Sequence, residues 1–473
     1  MARPLPRILL PALAASLLAA PPAAAAERLT IRGAGFGHGV GMSQYGAQGF
    51  AQNGAGYRSI LGHYYTDTAV GTLPARRVRV LLQDARGSAR FTNARSAGGR
   101  RVSPSLAYGV RRAAGGTVEL LSPRGRVLKR VAPPLVVKGA RVVLKGAALN
   151  GRSDGAYRGR LEFRPASYLG VLAINAVGLE TYIRGVVGDE MPPSWHPEAL
   201  KAQAVAARTY AVTTSKAGLG FEHYPDTRSQ VYGGVAAEEP SVDAAVRATR
   251  GEVVTYAGEP VVTYFFSTSG GRTEDVENTT LGNEPEPWLK SVEDPYDDIS
   301  PRHRWGPMRM TLKAAGRKLG SLVEGSFRGI KVLERGRSPR IVRAQVVGTQ
   351  GRTDVDGATL RARLGLYDTW AYFTSIASTE KPAAEDDAPA RTDSSGGTSP
   401  PAKAAAETGR RIAGRVFPPR GEVVVQRRAG RRGWERVGVA AVGRRGGYSF
   451  TVPSEGVYRV RFAGGIGPKI RIR

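Results

Sequence analysis

The sequence predicts a mixed α+β protein, richer in strand than in helix. A curved sheet carries one helix beside a groove, and a small β-sandwich-like module follows on a flexible linker. Three observations lead there. Short β-patterned runs separated by turn residues fill most of the chain, one amphipathic helix stands out near the middle, and a compositional break sets off the C-terminal part. The 473 residues suit about three domains and a sizeable core. With 69 Lys and Arg against 40 Asp and Glu the formal charge is +29, which points to an anionic partner. Cysteine is absent, which excludes disulfides, thiolate zinc sites, iron–sulfur clusters and cysteine nucleophiles.

Residues 1–26 pair Arg3 and Arg7 with an apolar run from Ile8 to Ala20 and end in small residues, the pattern of a secretory signal cut near Ala26. Pro11, Pro21 and Pro22 interrupt the run, which argues against a membrane anchor. A secreted protein is expected. Residues 27–74 form a Gly- and aromatic-rich block, and 75–378 form the core. Within the core, Arg77–Leu82, Thr117–Leu121 and Arg141–Leu144 read as strands, as do Glu252–Tyr256, Val261–Phe266 and Ile341–Val347. Pro197 opens a helix expected to reach Lys216, with Leu200, Ala204, Ala207 and Ala211 on one stripe and Lys201, Val205, Arg208 and Val212 on another. Residues 379–409 lose aliphatics and aromatics and read as a disordered linker. Beyond it, residues 410–473 alternate like a β-sandwich and carry sixteen Lys or Arg against three acids.

Several residues carry chemistry on their own terms. Glycine at every second position from Gly33 to Gly41 leaves one backbone face bare, open either to a flat ligand or to a neighbouring element of the same protein. Glu190 follows an apolar run and precedes Pro192 and Pro193, so a stiff turn can hold its carboxyl at the lip of a cleft. A partly desolvated acid there would have a raised pKa and could donate a proton near neutral pH. The other reading pairs Glu190 with Arg208 or Lys201 as a structural ion pair. Lys201 and Arg208 are two helical turns apart and share a face, whether toward a ligand's carboxylates, toward Glu190 or toward solvent. Five histidines give no triad around Ser267 or Ser269, which argues against a serine hydrolase. His223 and Asp226 read as a hydrogen-bonded pair rather than zinc ligands, and no cofactor is expected. Nucleic-acid binding lacks a motif and suits an exported chain poorly.

Taken together, GFGHGVGMSQYGA at 35–47, ILGHYYTDT at 60–68, the run from Glu180 to Ala211 containing EMPPSW, DTRSQVYGG at 226–234, YFFSTSGGRTEDVENT at 264–279, PWLKSVEDPYD at 287–297 and GRTDVDGATLRARLGL at 351–366 resemble the stage II sporulation protein D and amidase-enhancer family. One departure stands out. In the family the GHGVGMSQYGA block usually follows the LRARLGL-like segment, whereas here it comes first. The resemblance implies a lytic transglycosylase acting on peptidoglycan, with Glu190 as catalytic acid and the muramic 6-hydroxyl closing on C1. It further implies substrate contacts at Lys201, Gln203, Arg208, Tyr264, Ser267, Ser269 and Gly270, and at His38, Gln44 and Tyr45 of the displaced block. Expected partners are peptidoglycan glycan strands, a cell-wall amidase, and anionic wall polymers on the basic C-terminal module. A non-enzymatic glycan binder that stimulates an amidase is the alternative. An adhesin-like scaffold built on the C-terminal module is a third.

Overall fold

Alternating burial builds the first body. In the strand Arg77–Arg86 the side chains of Val78, Val80 and Leu82 are fully buried, as a period of two requires. The computed structural model describes residues 26–167, 169–215, 220–381, 410–430 and 433–472. The expected leader and linker lie almost wholly outside these residues. Arg77–Arg86 edges a six-stranded antiparallel sheet that continues through Gly170–Gly178, Arg160–Pro165, Leu135–Lys138, Ser96–Ala97 and Arg100–Arg101. A second six-stranded antiparallel sheet runs Val127–Val131, Val118–Leu121, Tyr108–Arg112, Ser88–Thr92, Val142–Lys145 and Ala156–Tyr157. Phe91 of one and Phe163 of the other meet at 5.9 Å within a single core. The α+β class is as expected, but the strands sort into several sheets rather than one curved sheet.

A helical layer completes this body: α1 (Gln44–Gln52), α2 (Tyr57–Tyr64), α3 (Leu179–Glu190), α4 (Pro197–Thr213) and α5 (Pro240–Ala248). The imidazole of His196 caps α4, accepting from the Glu198 amide at 3.2 Å, and Pro197 starts its first turn. Both stripes of α4 read from the sequence bury residues: Leu200, Ala204, Ala207 and Ala211 on one, Val205 and Arg208 on the other. The helix therefore runs through the layer, touching α1, α2, α3, α5 and the strand Glu252–Tyr256, rather than lying on a sheet. Its alanines at 199, 202, 204, 206, 207 and 211 leave room for neighbours on every side.

The second body joins distant parts of the chain. The strand Ala26–Ala34 lies antiparallel between Arg304–Met310 and Ala371–Lys381. Its Leu29 and Ile31 share a core with Trp305, α6 (Leu312–Leu319), α7 (Gly357–Leu364) and the sheet of Gly329–Arg335, Ile341–Val347 and Arg352–Asp356. Gly33 pairs with Ala371, so the N-terminal block enters where the segment after α7 ends. Adjacent entry and exit points are what allow such a block to move from one end of a chain to the other. The C-terminal strands extend the same sheet. Arg411–Phe417 pairs with Ala371–Lys381 and Gly447–Thr451 with Arg411–Phe417, while Ile376 joins the core of the four strands from Glu422 to Ile472. A backbone ladder thus joins this module to the preceding body.

The bare face of the glycine run is filled from within. A β-carbon on Gly39 would stand 2.4 Å from the Arg340 guanidinium, and one on Gly41 would stand 2.1 Å from the Tyr264 carbonyl oxygen. Of the two occupants the sequence allows, these contacts select neighbouring segments of the same protein over a flat ligand. Gly41 also has φ +74°, where an L side chain is strained. Gly41→Ala should therefore lower the free energy of unfolding by roughly 2 kcal/mol or more, read from chemical denaturation, because strain and overlap add at one residue.

Candidate active site

Glu190 is the last residue of α3, and the two prolines decide that. Pro192 forces Met191 into extended backbone (φ −130°, ψ 143°), so the helix stops with the glutamate at its C-terminal end. Glycines on α3 then bring a loop against it. A β-carbon on Gly185 would meet the Tyr232 ring at 2.5 Å, and one on Gly188 would meet the Ala237 carbonyl oxygen at 2.0 Å. The segment 226–237 packs closely enough for the Val231 amide to donate to Glu190 Oε1 at 2.9 Å. From the opposite end of the sequence, Gln44 opens α1 behind its Ser43 cap. Its amide donates to the Glu190 carbonyl at 3.1 Å and lies 3.5 Å from Oε2.

Burial pushes the Glu190 carboxyl above the usual carboxylate range, and the nearby charge of Asp189 adds to the push. The Val231 and Gln44 hydrogen bonds oppose it. Asp189 itself is tied to Arg152 at 2.6 Å and turned away from its neighbour's role. Among the described residues no cation pairs with Glu190. The ion-pair reading fails because both proposed partners are engaged elsewhere. The Lys201 ammonium binds Glu198 at 2.7 Å. The Arg208 guanidinium is fully buried, forked onto Glu180 at 2.9 and 2.8 Å and donating to the Glu252 carbonyl at 3.0 Å.

The expected site residues divide accordingly. Glu190, Gln44 and Tyr45 come together, and the Tyr45 ring meets Trp195 edge-on at 4.8 Å, both half-buried. The Tyr45 amide donates to the Ser267 carbonyl at 3.0 Å, bringing that strand alongside. Tyr264 contacts His38 and Tyr210 at 5.9 and 6.0 Å between ring centroids. Burial lowers the His38 imidazole to about 4, so it is neutral at pH 7, with Nε2 against the Phe265 carbonyl at 3.0 Å. Burial raises the Tyr210 phenol, and the charges of Tyr264 and Glu190 add to the push.

Five of the expected substrate contacts lie buried or are turned to other residues of the protein. Arg208 joins α4 to the start of α3 and is fully buried. Gln203 is fully buried, and its amide has no hydrogen-bond partner among the described residues. Ser269 is fully buried with its hydroxyl accepting from the Gly271 amide, and Gly270 is buried with its amide donating to Asp297 at 2.6 Å. Lys201 is half-buried but directed to Glu198 and the Tyr57 ring. His223 and Asp226 do not pair: His223 Nε2 lies 2.9 Å from the Ala211 carbonyl, and Asp226 is forked by Arg228. No group of three His, Asp or Glu suited to a metal occurs among the described residues. A cleft bordered by Arg76, Val212, Val261 and Trp288 opens at the C-terminal end of α4 and excludes Glu190, so it is not the expected groove.

Sequence reasoning missed Trp195 and the Val231 amide. Trp195 had a signal, an aromatic residue on a short Pro-flanked connection. A backbone donor has none. Removing the Gln44 amide takes away a bond that favours the charged carboxylate. Gln44→Leu is therefore expected to move the alkaline limb of any Glu190-dependent activity to higher pH, read from a kcat/KM profile.

The family model described as Stage II sporulation protein matches residues 168–256, which contain Glu190 and all of α4. Stage II sporulation protein D of Bacillus subtilis is 33% identical over 211 residues, covering 41% of this chain and 60% of that protein. An uncharacterized protein of Brachyspira hyodysenteriae is 41% identical over 136 residues, covering 28% and 36%. The protein named Amidase enhancer of Bacillus subtilis is 45% identical over 93 residues, 20% of this chain and 12% of that protein. The chain thus spans at most 60% of the length of these relatives. Over residues 168–256, which carry the helix-ending glutamate, the chain is similar to the stage II sporulation protein D and amidase-enhancer family.

Proposed function

We propose that this chain is an exported bacterial cell-wall protein that cleaves peptidoglycan glycan as a lytic transglycosylase. One observation carries the reading: a poorly hydrated Glu190 carboxyl, uncompensated by a cation among the described residues, is clamped between a backbone amide and a carboxamide. In the neutral form it protonates the oxygen of the MurNAc–GlcNAc β-1,4 bond as the C1–O4 bond breaks. The resulting carboxylate takes the proton of the muramic 6-hydroxyl while O6 closes on C1, which restores the acid and leaves a 1,6-anhydro end. This scheme needs one carboxyl, whereas hydrolysis generally recruits two, and the adjacent Asp189 is occupied by Arg152. The half-buried rings of Tyr45 and Trp195 offer faces on which pyranoses stack.

The relatives' names, one a sporulation protein and one an amidase enhancer, agree with a role in the wall, and amidase stimulation is the competing reading. The basic C-terminal strands suit anionic wall polymers, and the scheme calls for no cofactor. Mass spectrometry of products from purified protein on peptide-stripped glycan tests it. Anhydro-muramic ends are expected. Reducing muramic ends, or intact glycan with a stimulated amidase, would replace the proposal.

A further inference from the structure

The block that delivers Gln44 and Tyr45 also builds a second surface. Phe36 is 40% exposed. Its backbone bridges Thr268 in both directions, at 2.8 and 3.0 Å, one residue from the Ser267 that binds the Tyr45 amide. The Phe36 ring meets Tyr367 edge-on at 5.6 Å. The Arg302 guanidinium lies 4.0 Å from the centre of the Tyr367 ring, and Arg304 lies 5.5 Å from that of Trp370. Arg361 reaches the carbonyl of Leu366, next to Tyr367, only through a long 3.4 Å contact.

The charges here do not balance. Among the described residues, none of Arg302, Arg304 and Arg361 has a carboxylate oxygen within 4.0 Å. The nearby acids are already committed, Asp368 to Arg340 at 2.8 Å and Asp297 to His303 and the Gly270 amide. Arg304 Nη1 donates to the carbonyls of Gly270 and His303 at 2.8 and 2.9 Å, which leaves its charge without a carboxylate. Aromatic rings flanked by guanidinium groups that lack a carboxylate partner suit a ligand with flat apolar faces and regularly spaced carboxylates. A glycan strand bearing muramic lactyl groups has both.

We propose that Phe36, Tyr367, Arg302 and Arg304 form an exosite that holds the continuation of the carboxylated glycan strand engaged at Glu190. The inference rests on the wall-glycan reading above and adds to it a preference for charged over uncharged sugar chains. The site joins the N-terminal block, the segment leading into the strand Arg304–Met310 and the segment after α7, so it arises from the strand pairing of Gly33 with Trp305 on one side and Ala371 on the other.

Binding, rather than turnover, tests this. In a Glu190→Gln background, affinity is measured for long peptide-stripped glycan and for the same glycan with its carboxyls amidated. Arg302→Ala with Arg304→Ala should weaken binding to the carboxylated glycan at least tenfold near 0.1 M salt and leave the amidated glycan unaffected, while Phe36→Ala weakens both. Unchanged affinity for the carboxylated glycan overturns the exosite, and so does an equal loss on both glycans or tighter binding of a phosphate-based wall polymer. Arg302→Ala alone keeps the test available if the double variant unfolds, because the Arg302 side chain makes no hydrogen bond among the described residues and its carbonyl, which holds the Gly35 amide, is retained. If the parent protein binds neither glycan, the wall-glycan reading fails with it. If the parent binds and cleaves while the arginine variants keep full affinity, the exosite alone fails.

Discussion

Glu190→Gln is expected to reduce release of anhydromuropeptides by roughly 10²–10⁴-fold while leaving glycan binding in place. The amide is nearly isosteric and still accepts from the Val231 amide through its oxygen, so the fold has no reason to change. What disappears is the transferable proton. The same substitution has a stability signature of known sign. Burial raises the carboxyl's pKa in the folded protein, so the unfolded chain ionises first as pH increases. Stability is therefore lost as pH rises from the unfolded value through the raised folded value. The glutamine variant escapes this loss and should melt higher than the parent at pH 8, with the gap closing toward pH 4. A variant that still forms anhydro ends would sink the assignment. Equal melting at both pH values would show that the carboxyl is better hydrated than its surroundings imply.

The largest structural effect is expected at Arg340. Its guanidinium is 2% exposed, forks onto the fully buried Asp368 at 2.9 and 2.8 Å, and donates to the carbonyls of Ser269 and Arg272 at 2.8 Å each. Its side chain also occupies the space left by Gly39. Arg340→Met strands a carboxylate in the interior and frees two carbonyls, and should cost about 3–5 kcal/mol in denaturant unfolding. Adding Asp368→Leu removes the stranded charge and should recover part of the loss, because replacing both partners is cheaper than removing one. Further loss in the double variant would mean that Asp368 stabilises the site independently of the arginine.

Much of the half of the molecule that carries Glu190 was legible. Pro192 and Pro193 mark the end of α3, Pro197 the start of α4, and the glutamate just before the first two stands at a helix end because chain stereochemistry leaves it nowhere else. The roles of Lys201 and Arg208 were not legible. Seven residues apart, they share an azimuth on the helix, but spacing says nothing about what covers each turn. Glu198 meets the first near the surface, and Glu180 and the strand Glu252–Tyr256 enclose the second. The glycine run shows the same division. Its bare face was readable, while its occupants, Arg340 and the Tyr264 carbonyl, come from segments more than two hundred residues away.

Local rules thus determined the α+β character, most strand runs, the start of the central helix, which ends at Thr213 short of the expected Lys216, and the placement of one acid beside a stiff turn, since each depends on backbone preferences within a few residues. Tertiary structure alone decided that Gln44 and the Val231 amide hold that acid, that Arg208 is internal, and that the displaced N-terminal block returns beside Ala371. Those outcomes depend on which surfaces exclude water from one another, and that free energy belongs to the packed pairs rather than to either segment alone.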